Sequence, residues 1–235
     1  MAIDLPGGLR LARAAFDVGL LTTDVGPMVA FWHHERRLPV ERVFEPSPGV
    51  TQYKLTMHGA VLKVNHVAGG ASQPTRLGAV RLLRLVEDEI AEARHLRDPD
   101  GNLVQLVPPG GGLSTFAVHL AVSDERSAVE FYGGVLGLEA VSDRVYDVAG
   151  AALSFAWSPD ATPDTGMGGR GFGYITLQVM EVMAAHSFVC SRGADEVMAP
   201  SDSAYAGGSS VSFIADPDGN LIELSERPDL VRRAT

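Results

Sequence analysis

The chain has 235 residues, of which 46% are hydrophobic, and this composition is sufficient for one or two domains with a sizeable core. Its net charge of −10 is spread along the sequence without a basic cluster, so neither nucleic acid nor an anionic membrane is expected as a partner. No apolar stretch has the length of a membrane span, and the first residues lack the pattern of a signal peptide, so a cytoplasmic protein is expected. Cys190 is the only cysteine, so no internal disulfide is expected.

The first module is predicted to contain a strand, a helix and two further strands. It starts near Ala15 with an apolar strand, and helical spacing follows over residues 27–35. The segments Val50–Met57 and Ala60–Val67 are predicted to be strands that turn at His58-Gly59.

The second module is too short to repeat this plan. From Arg81 to Gln105 there are 24 residues, whereas the matching stretch from Tyr174 to Glu223 has 49. A strand, a three-turn helix and further strands do not fit into the shorter stretch, given the rise per residue of each element. We therefore predict three strands and no helix here, at residues 80–86, 91–97 and 103–107.

A linker of two prolines and three glycines, residues 108–112, separates the two halves of the chain. Neither a helix nor a strand tolerates such a segment. We therefore predict two domains, residues 1–107 and residues 113–235.

The third and fourth modules show a β-α-β-β-β plan most clearly. After the strand Phe116–Val122, Asp124 is a good helix N-cap, and apolar side chains at helical spacing follow until Gly137. The helix of the fourth module, Val182–Ser191, is closed by Gly193. The strands of these modules are predicted near residues 116–122, 140–148, 151–157, 174–179, 210–215 and 221–225.

Two sequence phrases recur in the same order in both halves. Residues 98–102 and 216–220 both read Asp-Pro-Asp-Gly-Asn, and a short apolar segment follows each copy. Residues 16–24 likewise match residues 116–124. The chain is therefore a tandem repeat.

Three motifs make the sequence similar to a known superfamily. They are residues 131–139 (FYGGVLGLE), a weaker match at residues 31–41, and both Asp-Pro-Asp-Gly-Asn turns. With these motifs the chain resembles the vicinal oxygen chelate superfamily over roughly residues 15–226. Glyoxalase I, extradiol dioxygenases and bleomycin resistance proteins belong to it. The resemblance implies an α+β fold of four βαβββ modules, the second truncated, that form curled mixed sheets round a cavity. It does not imply one reaction, because this fold hosts several chemistries.

The resemblance also indicates where a metal would bind. Metal-dependent members place His and carboxylate ligands on the first and last strands of paired modules. The first-strand positions correspond here to Asp17, Arg81, Ala117 and Tyr174, and the last-strand positions to Lys63, Gln105, Ser154 and Glu223. Because none of these is a histidine, the usual ligand set for a divalent metal is incomplete, and no metal site is predicted. If a metal does bind, the ligands would be Glu223 and His119, which lies two residues beyond Ala117 on the same strand face.

The charged residues at these positions leave two interpretations open. Asp17 could form a buried salt bridge with Lys63 or Arg81. Alternatively, these side chains and Gln105 bind an anionic or carbonyl-bearing ligand, with an aromatic ligand stacking on Trp157.

The sequence does not determine which modules share a cavity. If the first module pairs with the second, Asp17, Lys63, Arg81 and Gln105 meet; if it pairs with the fourth, Asp17 and Lys63 face Tyr174 and Glu223. In either case Tyr174 and Glu223 could act as acid and base, or only hydrogen-bond to a ligand, and His119 is a further catalytic candidate.

The leading hypothesis is an enzyme of this superfamily that acts on a small oxygenated substrate, aromatic compounds included. Dioxygenase, isomerase and lyase chemistry all remain open. The alternative is a metal-free protein that binds or sequesters a small molecule such as an antibiotic. On either hypothesis Glu223→Ala is expected to impair ligand binding or turnover with little loss of stability, because no large apolar group is removed.

The shortened second module also predicts a subunit contact. Leu82, Arg84 and Val86 have the parity that faces the helix layer in the other modules. With the helix lost, this partly apolar face suggests a homodimer, unless the loop at residues 67–75 covers it.

Overall fold

The computed structural model describes residues 1–68, 80–110, 112–148, 150–161, 171–202 and 208–235. Within these residues the fold is α+β, as the sequence predicts, with two large mixed sheets and short helices. No helix in these ranges is long and apolar enough to cross a membrane. Most of the loop at residues 67–75 lies outside the described residues.

The first module follows a two-stranded ribbon and has one strand more than predicted. The hairpin at residues 58–59 forms as expected, because His58 and Gly59 both adopt the positive φ that a two-residue turn requires. The elements are β1 (Ile3–Asp4), β2 (Arg10–Leu11), β3 (Asp17–Thr22), α1 (Val25–Val29) with a π-helical continuation (Ala30–Glu35), β4 (Val40–Ser47), β5 (Val50–Met57) and β6 (Ala60–Val67).

The second module confirms the prediction of three strands without a helix. Its strands are β7 (Val80–Val86), β8 (Arg94–Arg97) and β9 (Leu103–Val107). Residues 87–93 form turns and bends between the first two strands.

The third module places its helix where the sequence predicts it. Asp124 caps this helix by accepting hydrogen bonds from the backbone amides of Arg126 and Ser127. The strand predicted at residues 140–148 is wrong, because Arg144 has a φ of 59° and the segment turns back as a hairpin. The elements are β10 (Phe116–Val122), α2 (Glu125–Val129) with a π-helical continuation (Glu130–Val135), β11 (Glu139–Ser142), β12 (Val145–Val148) and β13 (Ala151–Trp157).

The fourth module contains the predicted helix at its predicted bounds and two elements that the sequence did not indicate. Its elements are β14 (Gly171–Gln178), α3 (Val182–Ser191), β15 (Asp195–Asp202), β16 (Ser210–Ala215), β17 (Leu221–Glu226) and α4 (Pro228–Ala234). The additional elements are β15 and α4.

The strand order shows which modules share a sheet. The eight-stranded sheet has the order β15-β16-β17-β14-β3-β6-β5-β4 and combines the fourth module with the first. The seven-stranded sheet has the order β11-β12-β13-β10-β7-β9-β8 and combines the third module with the second. The antiparallel pairs β14–β3 and β10–β7 join the modules at the centre of each sheet. Each sheet therefore contains strands from both sides of the Pro-Gly linker.

A bulge in β7 reverses the parity that the sequence suggested for this strand. Leu82 stands opposite His119 and Val80 opposite Leu120, so Arg81 is an extra residue without a partner on β10. As a result Leu83 and Leu85, not their neighbours, point into the core. The face of Leu82, Arg84 and Val86 was therefore wrongly assigned to the helix layer, and the homodimer proposed on that face loses its basis.

Candidate functional site

A cavity of about 450 Å³ lies against one face of the eight-stranded sheet, and all eight strands or the residues next to them contribute to its lining. The lining is mainly apolar and includes Phe44 and Phe213. Because side chains alternate along a strand, the residues between the lining positions, such as Ile222 and Leu224, are buried in the core on the other face. The cavity is formed by the first and fourth modules together.

A buried ion pair occupies the floor of the cavity. Lys63 on β6 donates hydrogen bonds from Nζ to Glu223 Oε2 at 2.5 Å and to Thr176 Oγ1 at 2.8 Å. Thr176 on β14 in turn donates to Glu223 Oε2 at 2.7 Å. Burial lowers the pKa of Lys63, and the attraction of the Glu223 carboxylate opposes that shift. The three side chains thus hold one another in a fixed arrangement.

Tyr174 lies beside this ion pair and presents its hydroxyl to the cavity. Asn65 donates from Nδ2 to the Tyr174 hydroxyl at 3.1 Å, and Gln52 donates to Asn65 Oδ1 at 2.7 Å. Burial and the nearby Glu223 carboxylate raise the pKa of Tyr174, so the phenol stays neutral. Because the described residues offer the Tyr174 proton no acceptor, it is available to an oxygen atom of a ligand.

Gly19 on β3 makes room for the ring of Tyr174. The two residues are opposite each other on adjacent strands. A Cβ atom added to Gly19 would lie only 2.1 Å from atoms of the Tyr174 ring. A glycine is therefore required at this position for the tyrosine to adopt its place in the cavity.

Lys54 on β5 is the second lysine in the cavity. It is only 8% exposed, and its Nζ lies 5.0 Å from the centre of the Phe44 ring. Burial and the neighbouring Lys63 lower the pKa of Lys54 to about 7. Lys54 was not among the residues predicted from the sequence, although Lys54 and Lys63 are the only lysines among the 19 Lys and Arg residues.

Asp17 lies on the same sheet but outside the cavity lining. It is fully buried, pairs with Arg13, and accepts hydrogen bonds from Val61 N and Gln178 Nε2, both at 2.8 Å. These partners satisfy the carboxylate. The salt bridge expected for Asp17 therefore forms, but with Arg13 instead of Lys63 or Arg81.

Comparisons with known proteins agree with this architecture. Residues 113–224 match the family described as Glyoxalase/Bleomycin resistance protein/Dioxygenase superfamily. Glyoxalase I from Zea mays superimposes with a TM-score of 0.69 and 13% identity, covering 94% of this chain and 95% of that chain. A putative dioxygenase from Bacillus subtilis gives a TM-score of 0.68 and 13% identity, covering 96% and 87%. The second half of the chain thus matches this superfamily, and the whole chain shares the fold of the two solved structures.

These similarities define the fold and not the reaction. At such identities the solved structures share only the architecture with this chain. No curated protein matches the sequence. The function therefore has to be inferred from the side chains of the cavity.

The remaining candidate residues lie on the seven-stranded sheet. Arg84, not Arg81, stands opposite Ala117, and its Nε donates to Gln105 Oε1 at 2.8 Å. Arg81 instead donates to the backbone carbonyl of Asp160 at 2.6 Å. Neither Arg81 nor Gln105 lines the cavity of the eight-stranded sheet.

His119 and Trp157 also lie apart from that cavity. His119 Nδ1 is 3.0 Å from Ser154 Oγ, and burial together with the nearby Arg84 lowers the pKa of this histidine. Trp157 ends β13 and is 62% exposed. The structure thus brings together Tyr174, Glu223 and Lys63 and places the other sequence candidates elsewhere.

The cavity floor does not fit the divalent metal that the superfamily implies. The ammonium group of Lys63 already binds the Glu223 carboxylate, and a cation beside a divalent ion is strongly unfavourable. Asp17 is engaged by Arg13, and His119 is on the other sheet. Within the described ranges, no group of three His, Cys, Asp or Glu ligand atoms includes Glu223. The cavity floor holds a lysine–carboxylate pair instead.

One group of potential metal ligands does occur elsewhere in the described residues. His186 and Cys190 on α3 and Glu196 on β15 have ligand atoms within 4.8 Å of one another. His186 Nε2 and Glu196 Oε2 are 2.7 Å apart, so these two ligand atoms are already hydrogen-bonded to each other without an ion. Burial raises the pKa of the Cys190 thiol, which disfavours the thiolate that a metal requires.

Proposed function

We propose that this chain is an enzyme that acts on a small organic substrate bearing a carbonyl or similar oxygen, bound in the cavity of the eight-stranded sheet. The observation that carries this proposal is the convergence of Lys63, Glu223 and Tyr174 on the floor of a largely apolar cavity, where Thr176 is hydrogen-bonded to both members of the ion pair. Such a combination of apolar walls and a few oriented polar groups is typical of a small-molecule site.

The size and polarity of the cavity support this class of substrate. A volume of about 450 Å³ is within the range of ligand pockets in enzymes. Phe44 and Phe213 provide aromatic surface against which the carbon skeleton of the substrate can pack. The proposed substrate class therefore includes aromatic compounds. The Tyr174 hydroxyl and the Lys54 amine are suited to an oxygen atom that carries or develops negative charge.

The polar groups support proton transfer as the type of reaction. A neutral Tyr174 can donate a hydrogen bond to a substrate oxygen as it becomes an enolate. Glu223, whose carboxylate pairs with Lys63 on the cavity floor, is the candidate proton acceptor. Isomerase or lyase chemistry is therefore favoured over the dioxygenase alternative, because the ligand set for a catalytic metal is not present at the cavity floor.

The aromatic lining also supports a second candidate function. A protein that only binds a planar molecule needs aromatic walls and a few hydrogen-bonding groups, and Phe44, Phe213 and Tyr174 meet this need. On this alternative the chain sequesters a small molecule without changing it, as the bleomycin resistance proteins of the superfamily do.

A ligand screen followed by an exchange measurement tests the proposal. Carbonyl compounds, aliphatic and aromatic, that raise the melting temperature are incubated with the protein in D2O, and deuterium incorporation is followed by NMR. The proposal expects exchange at carbon next to the carbonyl in wild type, unaffected by EDTA, and its loss in Glu223→Gln. Gln105→Ala, on the other sheet, is the matched control and should exchange normally. Tight binding without exchange or conversion of any hit would favour the sequestering protein instead.

A further inference from the structure

Lys54 is a cavity residue that the ion pair on the floor leaves unused. On adjacent strands its neighbours in register are Lys63 on β6 and Arg42 on β4, both of them cationic. Like charges in directly opposed positions destabilise a sheet. The protonated form of Lys54 is therefore destabilised by a cationic residue on each neighbouring strand.

Among the described residues the Lys54 amine has no anionic partner. It donates no hydrogen bond and forms no ion pair there, and its Nζ lies 5.0 Å from the centre of the Phe44 ring. Among more distant charges, Lys63 and Arg227 disfavour the protonated amine, while Glu223 and Glu41 favour it. Burial is the largest effect and, with the cations, lowers the pKa of Lys54 to about 7.

The use of lysine here contrasts with the rest of the chain. Only two of the 19 basic residues are lysines, and both lie in this cavity. An arginine would supply the same charge for binding an anion but stays protonated and is a poor nucleophile. A lysine differs in that it can lose its proton, and a desolvated lysine beside another cation is a typical activated amine.

From this placement we propose that Lys54 is the nucleophile of the cavity and forms an imine with the carbonyl carbon of the substrate. The neutral amine adds to the carbonyl carbon to give a carbinolamine. Loss of water then forms the C=N bond, so that the amine gives up two hydrogens and the carbonyl oxygen leaves as water. No oxidant or other reactant is consumed. The proposal rests on the proposed function only in taking a carbonyl compound as the substrate.

The imine would strengthen the proton-transfer chemistry of the same site. Once protonated, its nitrogen withdraws electrons from the adjacent carbon more strongly than a carbonyl oxygen does. A proton on that carbon is then easier to remove. Glu223, on the same cavity floor, is the group that would accept it.

Reductive trapping of the full-length protein tests the proposal. Benzaldehyde and sodium cyanoborohydride are added at pH 7, and the adduct is located by intact-mass and peptide mass spectrometry. Since Lys54, Lys63 and the terminal amine are the only primary amines of the chain, each site can be quantified separately. We expect the Lys54 adduct to form about a thousandfold faster than that of N-acetyl-lysine amide, because about half of the Lys54 amine is neutral at this pH, against about one in 2,500 for the model amine.

Variants distinguish this proposal from the function on which it rests. Lys54→Arg keeps the charge and should lose the adduct, and Lys54→Met serves as a second variant whose folding is checked by circular dichroism. An adduct confined to Lys63 or the terminal amine, or a Lys54 rate equal to that of the model compound, would overturn the proposal. Trapping at Lys54 without any turnover would contradict the enzyme function alone. Turnover that persists in Lys54→Arg would contradict the imine alone.

Discussion

The ion pair between Lys63 and Glu223 gives a direct test at the scale of single residues. Both groups are buried, so removal of one charge leaves the other without its partner. Glu223→Gln should lower the free energy of unfolding by about 3–5 kcal/mol in urea denaturation. This corrects the expectation from the sequence that removal of the Glu223 carboxylate costs little stability, because the sequence did not indicate that Lys63 depends on it.

A double variant separates stability from function at the same position. Lys63→Met combined with Glu223→Gln removes both charges and should recover most of the lost stability. It should not recover binding or turnover, since the candidate proton acceptor is absent. Equal stability losses in the single and double variants would show that the charge pair is not the cause.

Gly19 provides a second test at this scale, because its missing side chain makes room for the Tyr174 ring. Gly19→Ala should displace that ring, lower stability by about 1–3 kcal/mol and abolish ligand binding. Gly134 is a matched control, since a Cβ atom there meets nothing within 4 Å. Thermal unfolding should show Gly134→Ala to be neutral or stabilising. A Gly19→Ala protein with wild-type stability and binding would contradict the proposed role of Tyr174.

The lowered pKa of Lys54 has a consequence for stability that depends on pH. In the unfolded chain the amine keeps its proton up to about pH 10.4, whereas in the folded protein it loses the proton near pH 7. Between these values the unfolded state binds more protons, so wild-type stability rises with pH. Lys54→Met should therefore be more stable than wild type at pH 7, by a difference that shrinks towards pH 10. A difference that is constant with pH, measured by urea unfolding, would contradict the assignment.

At the scale of elements, the two Asp-Pro-Asp-Gly-Asn turns form a natural pair for comparison. In both turns the first aspartate accepts backbone and side-chain hydrogen bonds from the asparagine, but only Asp216 also accepts one from the buried Tyr132 hydroxyl, at 2.9 Å. Asp216→Ala should therefore cost about 1–3 kcal/mol more than Asp98→Ala. Removal of the hydroxyl by Tyr132→Phe should reduce this difference, and chemical denaturation of the three variants checks both statements.

The sequence predicted the central elements well and the edges of the sheet poorly. Buried strands and helices with an apolar face have the periodicity on which the prediction depends. The missed strands β4 and β15 are the two edges of the eight-stranded sheet, mostly exposed, and each contains a proline and charged residues. These features protect an edge strand from aggregation, but they remove the alternating pattern that identifies a strand.

The candidate site was predicted in part. Tyr174, Glu223 and Lys63 were selected from family positions and do line the cavity. Thr176 and Lys54 were missed because neither stands at a first-strand or last-strand position that the family motifs indicate. The sequence also gave no signal for the bulge in β7, which changes the face of the side chains on either side of it.

At the scale of the whole molecule, the cavity depends on both halves of the chain. Lys54 and Lys63 come from the first module and Tyr174 and Glu223 from the fourth. The pairing of β3 with β14 at the centre of the sheet brings them together. The cavity that holds the candidate site is therefore formed by both halves of the tandem repeat and not within either half.

This architecture predicts how the two halves behave when they are separated. Residues 1–107 and residues 113–235, produced as separate chains, would each expose a central strand, β3 or β10, without its antiparallel partner. We expect each fragment alone to be unfolded or aggregated, because unpaired central strands bury neither their hydrogen-bonding groups nor their apolar faces. Mixed during refolding, the fragments should restore a cooperative thermal transition and a one-to-one complex by size exclusion. Two monomeric fragments that unfold cooperatively on their own would instead support the two domains predicted from the linker.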